Sequence, residues 1–299
     1  MVMCGGPGGL MWGYRTGVRP MPHPAARATR DRNTPDLEFA PMGTFDADNR
    51  RLEEVLLNAT APPEQLLYDG WLLRLSREHI KRASSVNVLS PSTMPLAEKV
   101  DECERGYRNR GLVPIFRLAS LATEPELDAE LEERGYTVFE LSLVQVASLA
   151  ALAPGSKASP GLRFETMEME PWVAMVGRMR GWPEHDVTAH IRRMVSSPLH
   201  SLCVSLMAGE EVVSCGLVTL EGDYAGLFDI YTPPEHRAKG LATALCQRLL
   251  EMGRERGATV GWLSVLATNE PALEVYRRLG FETAYEYWYR VPSDFGPAI

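Results

Sequence analysis

The sequence predicts an α/β protein built as two similar halves, in which helices flank a mixed β-sheet. Segments with helical periodicity alternate with short apolar runs from about Asp46 onward, as expected for this fold class. Glycines such as Gly111 and Gly257 end the helical segments. The order of helix, glycine and strand around Leu131 recurs around Tyr276, at an offset of about 145 residues. The helix that ends at Gly111 likewise matches the helix that ends at Gly257, and each is followed by a strand. These two matches in the same order favour a duplication of one half.

Composition narrows the class of protein. The chain has 299 residues, of which 45% are hydrophobic and 23% charged, as is typical of a globular protein of about two domains. Its net charge of −8 argues against a nucleic-acid partner. We expect a cytoplasmic protein without a membrane partner, because no apolar run approaches about 20 residues and no signal-peptide pattern is present. The five cysteines contain no C-x-x-C pair, so we expect reduced thiols and no metal.

The chain divides into four predicted regions. Residues 1–41 are rich in Gly, Pro and Arg without a hydrophobic period, which predicts a disordered tail. Residues 42–148 form the first half and residues 161–299 the second. The small residues of 149–160 predict a linker between them.

The first half alternates helices and strands after one opening helix. Its helices are predicted at Asp48–Ala59, Leu96–Arg110 and Pro125–Arg134. Its strands are predicted at Trp71–Leu75, Ser84–Leu89, Val113–Leu118 and Tyr136–Val146.

The second half begins with a strand and two helices and continues with three strands. Its early elements are predicted at Leu162–Met167, Pro171–Arg180, Glu184–Ser196, Ser201–Met207, Val212–Leu220 and Tyr224–Thr232. A helix to about Arg256, a strand at Thr259–Leu266, a helix after Asn269 and a strand at Glu282–Val291 complete it.

A glycine-containing loop joins the strand that ends at Thr232 to the following helix. Main-chain N–H groups at a helix start have no partner inside the helix, and the helix dipole is positive there, so such a loop can hold a phosphate or pyrophosphate. Gly240 permits close approach of the anion, Ala242 keeps the first turn open, and Arg237 and Lys239 add positive charge.

Two motifs identify a resemblance. Arg237-x-x-Gly240-x-Ala242 is followed by Asn269-x-x-Ala272-x-x-x-Tyr276-x-x-x-Gly280-Phe281. In this order and spacing they resemble the two signatures of the GNAT superfamily of acetyl-CoA-dependent N-acetyltransferases, over roughly residues 161–291. The resemblance implies two tandem GNAT-like domains, each with a twisted, mostly antiparallel sheet flanked by helices.

The resemblance also implies acetyl-CoA as co-substrate. The pyrophosphate is expected on the main chain of the loop, which consists of Arg237, Ala238, Lys239, Gly240, Leu241, Ala242 and Thr243. The pantetheine arm is expected to pair, like an added strand, with the backbone of Ile230, Tyr231 and Thr232. Asn269 is expected to fix its loop and contact the arm.

Transfer to an amine needs a proton for the leaving thiolate. By resemblance, Tyr276 is the general acid. Asp229 is either the base, a carboxylate that holds the amine by its charge, or a residue that orients neighbouring backbone. Glu184, His185 and His190 are expected on a solvated helix face rather than in a catalytic role.

The first half lacks both signatures. At the repeat offset Pro91, Met94, Glu124 and Leu131 stand where the second half has Arg237, Gly240, Asn269 and Tyr276. We therefore predict that this half does not bind CoA and supports the other. The acceptor is expected to be a primary amine of a small molecule or peptide; transfer of a longer acyl group, a CoA-binding sensor without turnover, and a homodimer stay open.

Overall fold

The computed structural model describes residues 47–78, 80–121, 124–153 and 160–296. The tail predicted for residues 1–41 lies outside these ranges, as do residues 154–159 of the linker predicted for residues 149–160.

Seven α-helices are present in the described part of the chain. They are α1 (Ala47–Ala59), α2 (Leu96–Arg108), α3 (Glu126–Glu133), α4 (Met169–Arg180), α5 (Glu184–Ser196), α6 (Leu241–Arg254) and α7 (Glu270–Arg278). Each matches a predicted helix with small differences at its ends. Among the described residues, none of the helices has the length and apolarity required to cross a bilayer.

Eleven strands form the described sheet. They are β1 (Gln65–Tyr68), β2 (Trp71–Arg74), β3 (Val86–Val88), β4 (Phe116–Ala119), β5 (Tyr136–Ser148), β6 (Leu162–Met167), β7 (His200–Ala208), β8 (Glu211–Glu221), β9 (Tyr224–Tyr231), β10 (Val260–Leu266) and β11 (Glu282–Pro292). Only β1 was missing from the sequence prediction. It is a four-residue edge strand, too short to show an alternating pattern.

The strands of the two halves exchange places at the centre of the sheet. The order is β1-β2-β3-β4-β11-β5-β10-β9-β8-β7-β6. The last strand of the second half, β11, lies between β4 and β5 of the first half. The last strand of the first half, β5, lies between β10 and β11 of the second. Each half therefore completes the sheet of the other.

The exchanged pairings are long and antiparallel. β5 pairs with β10 from Ser148 opposite Val260 to Ser142 opposite Leu266. It pairs with β11 over nearly its whole length, from Val146 opposite Glu282 to Tyr136 opposite Pro292. The boundaries predicted for two tandem domains stay a prediction, but the hydrogen bonding of the sheet is continuous across them.

Helices cover both faces of the second half. α6 and α7 bury Leu245, Leu249 and Tyr276 in one core with Leu263 and Val265 of β10. On the opposite face, α4 and α5 pack against β7 and β8. The same face of the central strands is covered by α1, which packs against Tyr285, Tyr287 and Tyr289 of β11. The first half has its own core between α2, α3 and β2 to β5.

The strand exchange predicts that neither half folds alone. Residues 161–299 without β5 would leave both β10 and β11 with an unpaired, largely apolar edge, which favours aggregation. We expect chains 42–148 and 161–299, expressed separately, to be insoluble or unfolded by circular dichroism, and to form a folded complex when they are co-expressed. Cooperative thermal unfolding of either isolated chain at the temperature of the complex would contradict this.

Candidate functional site

A gap opens in the sheet between β9 and β10. These two strands are parallel and pair only at their starts, where Tyr224, Ala225 and Gly226 lie opposite Val260, Gly261 and Trp262. Beyond Gly226 the β10-facing edge of β9 has no neighbouring strand among the described residues, although β9 still pairs with β8 as far as Tyr231. Unpaired backbone N–H and C=O groups along such an edge are available to a ligand.

A β-bulge at the gap redirects the side chains of β9. The pairing with β8 shifts between Phe228 and Tyr231, and Asp229 takes a left-handed backbone conformation with φ +50°. Ile230 packs with the α6 core, whereas Phe228 and Tyr231 pack on the opposite face with α4 and α5. Bulges re-aim side chains next to active sites. Here the bulge directs Asp229 toward α5.

The start of α6 is open to an anion. Its first turn has no side-chain cap and no acidic residue, so its first N–H groups have no partner inside the helix. Gly240 is the N-cap residue with φ +73°, a conformation that favours glycine, and no atom lies within 4 Å of a Cβ built there. The next residues, Leu241, Ala242 and Thr243, are half-buried.

The loop before α6 is held by its own basic side chains. The exposed Arg237 donates from Nε to the carbonyl of Thr232 at 3.1 Å, and Lys239 donates from Nζ to the carbonyl of Glu235 at 3.0 Å. Ala238 has φ +59° and is exposed. These bonds tie the end of β9 to the loop and keep both cations at its rim.

Asn269 and Tyr276 mark the two ends of α7. Asn269 is the N-cap residue, and its Oδ1 accepts from the Ala272 amide at 3.3 Å, which ties the loop to the first turn of the helix. Tyr276 is buried against Phe281, with ring centroids 5.8 Å apart. Burial, with a smaller effect of Cys246, raises the pKa of Tyr276 well above its usual range. The hydroxyl is therefore protonated at neutral pH.

Asp229 is held by three cationic or polar groups. Its Oδ2 lies 3.1 Å from Nε2 of His190, and its Oδ1 lies 3.8 Å from Arg180. Burial acts to raise the pKa of this carboxyl, but His190, Arg180 and Arg193 outweigh it and hold the pKa below its usual range. A carboxylate with a lowered pKa is a weak base and a stable anion.

The geometry assigns the tautomer of His190. Nη2 of Arg193 lies 3.2 Å from His190 Nδ1, and a guanidinium can only donate, so Nδ1 accepts and Nε2 carries the proton that bonds to Asp229. Arg193 in turn donates from Nε to Glu78 at 3.0 Å. Glu78 belongs to the first half, so the polar network reaches from Asp229 across the two halves.

The expectation for His190 was wrong. Glu184 and His185 are exposed on α5, as predicted, but His190 is 1% exposed. The spacing of His190 and Arg193 places them on one helical face, which was the available signal. Their buried partners Asp229 and Glu78 are distant in sequence, and spacing alone could not reveal them.

In the first half, internal carboxylates occupy the place of the anion. Oδ2 of Asp69 accepts from the amides of Thr93 and Met94 at 2.9 and 3.2 Å, just before α2. Glu124 accepts from the Ser92 amide at 2.6 Å. Lys99 lies 3.3 Å from Asp69. Met94 is the predicted counterpart of Gly240, and Glu124 is that of Asn269. The main-chain amides of Ser92, Thr93 and Met94 therefore already bond to carboxylates of the first half.

Within the described ranges, no group of three or more His, Cys, Asp or Glu side chains is arranged to hold a metal ion. The four cysteines described there, Cys103, Cys203, Cys215 and Cys246, are free and buried. Burial raises the pKa of the Cys246 thiol, which lies next to Tyr276, to about 12.

A known protein family and a bacterial relative match most of the length of this chain. The family described as "Probable histone acetyltransferase Rv0428c C-terminal" matches residues 46–290. The uncharacterized N-acetyltransferase YobR of Bacillus subtilis (strain 168) is 27% identical over 250 residues, which cover 82% of this chain and 98% of that protein.

Two solved structures share the fold. A GCN5-related N-acetyltransferase from Kribbella flavida superposes with a TM-score of 0.63 at 16% identity, covering 82% of this chain and 96% of that one. A tandem GNAT protein from the clavulanic acid biosynthesis pathway gives a TM-score of 0.53 at 16% identity, covering 70% of this chain and 76% of that one.

The lowered pKa of Asp229 predicts a pH-dependent contribution to stability. A depressed carboxyl pKa stabilises the fold above the unfolded value of about 4, and this contribution is lost as the pH falls toward the folded value. We expect Asp229→Asn to lower the free energy of unfolding by about 1.5–3 kcal/mol at pH 7, and by progressively less below about pH 4.

Urea denaturation of both proteins between pH 7 and pH 3 measures this difference. Asp223→Asn, which changes an exposed carboxylate in the β8–β9 turn, is the matched control. A difference for Asp229→Asn that does not change with pH would show that the carboxylate is not stabilised by its charge.

Proposed function

We propose that this chain, which belongs to the family described as "Probable histone acetyltransferase Rv0428c C-terminal" and to the GNAT superfamily, transfers an acetyl group to a primary amine of a small molecule or peptide. Its family membership makes it an acetyl-CoA-dependent acyltransferase. In the proposed reaction Tyr276 is the general acid. The observation that supports this best is the open edge of β9 leading directly to the uncapped start of α6. The gap and the loop together suit a ligand with an amide-containing arm and a diphosphate.

The loop and the gap divide the binding of acetyl-CoA between them. The main-chain amides from Ala238 to Thr243 hold the pyrophosphate, with Arg237 and Lys239 at the rim. The pantetheine arm adds as a strand against Ile230, Tyr231 and Thr232 in the gap. In this arrangement the thioester lies between Asp229 and the second part of β10, near the face of α7 that carries Tyr276.

The chemistry is a direct attack by a neutral amine. A bond forms between the amine nitrogen and the thioester carbonyl carbon, and the carbon–sulfur bond breaks. The thiolate takes the proton of the Tyr276 hydroxyl, which is protonated at neutral pH. The proton lost by the amine passes to solvent and then restores Tyr276.

Of the roles predicted for Asp229, we propose that it holds the amine or its water by charge. Its lowered pKa makes it a poor proton acceptor but keeps it ionised. His190 orients it and, through Arg193 and Glu78, links it to the first half. We propose a cytoplasmic reaction, in keeping with the sequence prediction.

The anion loop predicts one acetyl-CoA site per chain. Gly240→Asp would place a carboxylate beside the phosphates and an unfavourable side chain at φ +73°. We expect titration calorimetry to give one site for the wild type and an affinity at least about tenfold lower for Gly240→Asp, which corresponds to about 1.4 kcal/mol. The matched control is Gly209→Asp, at φ +59° in the β7–β8 turn with equal free space. Two sites, or equal affinities, would contradict the assignment.

The variant Tyr276→Phe tests whether Tyr276 is the general acid. Removing the hydroxyl should lower kcat by about 100-fold or more, the usual contribution of general acid catalysis, because the thiolate loses its proton donor. The affinity for acetyl-CoA should change little, since the ring remains. Free-thiol release with a panel of amines measures kcat, and Tyr136→Phe, whose hydroxyl bonds to Glu104 in the first half, is the control. An unchanged kcat would return Tyr276 to a packing role.

A further inference from the structure

A polar cavity, separate from the gap between β9 and β10, lies between the two halves, and we name it the inter-half cavity. Its volume is about 200 Å³, and its polar lining consists of Lys81, Arg82, Glu140, Ser142, Ser264, Tyr287 and Tyr289. The first four residues belong to the first half. The volume is below the roughly 300–1,000 Å³ of sites for drug-sized ligands, so it suits a small molecule.

The inter-half cavity borders the gap in the sheet. Ser264 and Leu266 line it, and both follow Trp262, the last residue of β10 that pairs with β9. Leu263 and Val265, which alternate with them, belong to the core under α6. The cavity therefore lies on the face opposite α6 and α7, from which an acceptor can approach a thioester held between the strands.

The polar wall of the cavity is tied together by short hydrogen bonds. Nη1 of Arg82 donates to the Tyr287 hydroxyl at 2.7 Å and to Ser264 Oγ at 3.3 Å. The hydroxyls of Ser264 and Tyr287 lie 2.7 Å apart. The guanidinium of Arg117 lies 4.0 Å from the centre of the Tyr287 ring. These contacts fix Arg82 against β10 and β11.

The wall carries one uncompensated positive charge. Lys81 is neutralised by Glu140 at 3.1 Å, and Arg117 pairs with Glu53. The guanidinium of Arg82 bonds only to hydroxyl groups among the described residues, and its buried Nε has no hydrogen-bond partner there. Consistent with a positive field, the pKa of Tyr287 is lowered although burial acts to raise it, because Arg82 and Arg117 favour the phenolate.

An unpaired guanidinium in a small cavity beside the reacting strands has a clear chemical use. Buried charges are costly unless they are paired, and a guanidinium pairs best with carboxylate or phosphate oxygens. We propose that the inter-half cavity is the acceptor subsite and that Arg82 selects small amines that also carry an anionic group. This inference rests on the proposed acetyltransferase function and assigns acceptor selection to the first half.

Pairs of small amines, in which one member carries an anionic group and the other does not, test the proposal. Thiol release with acetyl-CoA is measured for glycine against glycinamide and for phosphoethanolamine against ethanolamine, and the two pairs distinguish a carboxylate from a phosphate. We expect the wild type to prefer the anionic member of at least one pair by about tenfold or more in kcat/KM, the size of one charge-assisted contact.

Variants show whether Arg82 carries the preference. Arg82→Gln should lower kcat/KM for the anionic amine by about tenfold and that for its neutral partner by less than about twofold, since a neutral amine forms no ion pair with Arg82. Arg82→Lys should retain part of the preference. The control is Arg77→Gln, whose guanidinium bonds to the Arg110 carbonyl outside the cavity.

Three results would overturn the proposal. The first is equal kcat/KM for the two members of both pairs. The second is an equal loss for charged and neutral amines in Arg82→Gln, which would indicate that Arg82 only supports Tyr287 and Ser264. The third is acetylation of peptide amines but of none of the four small amines. The affinity for acetyl-CoA, measured in parallel, shows whether only the acceptor subsite or also the acetyltransferase function is rejected. If the wild type binds acetyl-CoA, these results reject the subsite alone. If it does not bind acetyl-CoA, the proposed function fails as well.

Discussion

The reciprocal exchange of β5 and β11 is the constraint on which the rest of the structure depends. A strand in the middle of a sheet needs backbone partners on both sides, and β5 finds them only in β10 and β11 of the other half. The exchange aligns the end of β10 with residues of the first half and so forms the wall that carries Ser264 and Tyr287. It also explains why the first half is retained in the architecture although the start of its α2 is closed to anions.

The two halves satisfy the same physical requirement in different ways. A helix that begins behind a tight loop presents unpaired amides, and these need an acceptor. In the second half, Gly240 leaves the space in front of the amides open. In the first half, the carboxylate of Asp69 takes the amides of Thr93 and Met94 and is balanced by the buried Lys99. Its Thr93 and Met94 hydrogen bonds, with Lys99, lower the pKa of Asp69, which keeps it anionic and in place.

The sequence predicted local features well because they have local causes. Hydrophobic periodicity predicted the seven α-helices of the described ranges, and the first motif predicted an uncapped, glycine-containing start of α6. It did not predict the strand exchange, since both arrangements bury the same faces of β5 and β11. It also missed the buried position of His190, because Asp229, which bonds to His190, and Glu78, which bonds to Arg193, come close to α5 only after the sheet has formed. The bulge that turns Asp229 toward α5 has no signature glycine.

The position of Asp229 depends on the first half through one buried ion pair. Glu78 and Arg193 are 2% and 6% exposed in their side chains, with 3.0 Å between Oε2 and Nε. Removing one partner of such a pair leaves a buried charge and costs about 3–5 kcal/mol, far more than a surface pair. Arg193 also sets the tautomer of His190, which orients Asp229. A change in the segment that follows β2 is therefore transmitted to the bulge of β9 by hydrogen bonds alone. The first half thus positions the carboxylate of Asp229 at the edge of the gap, in addition to closing the sheet.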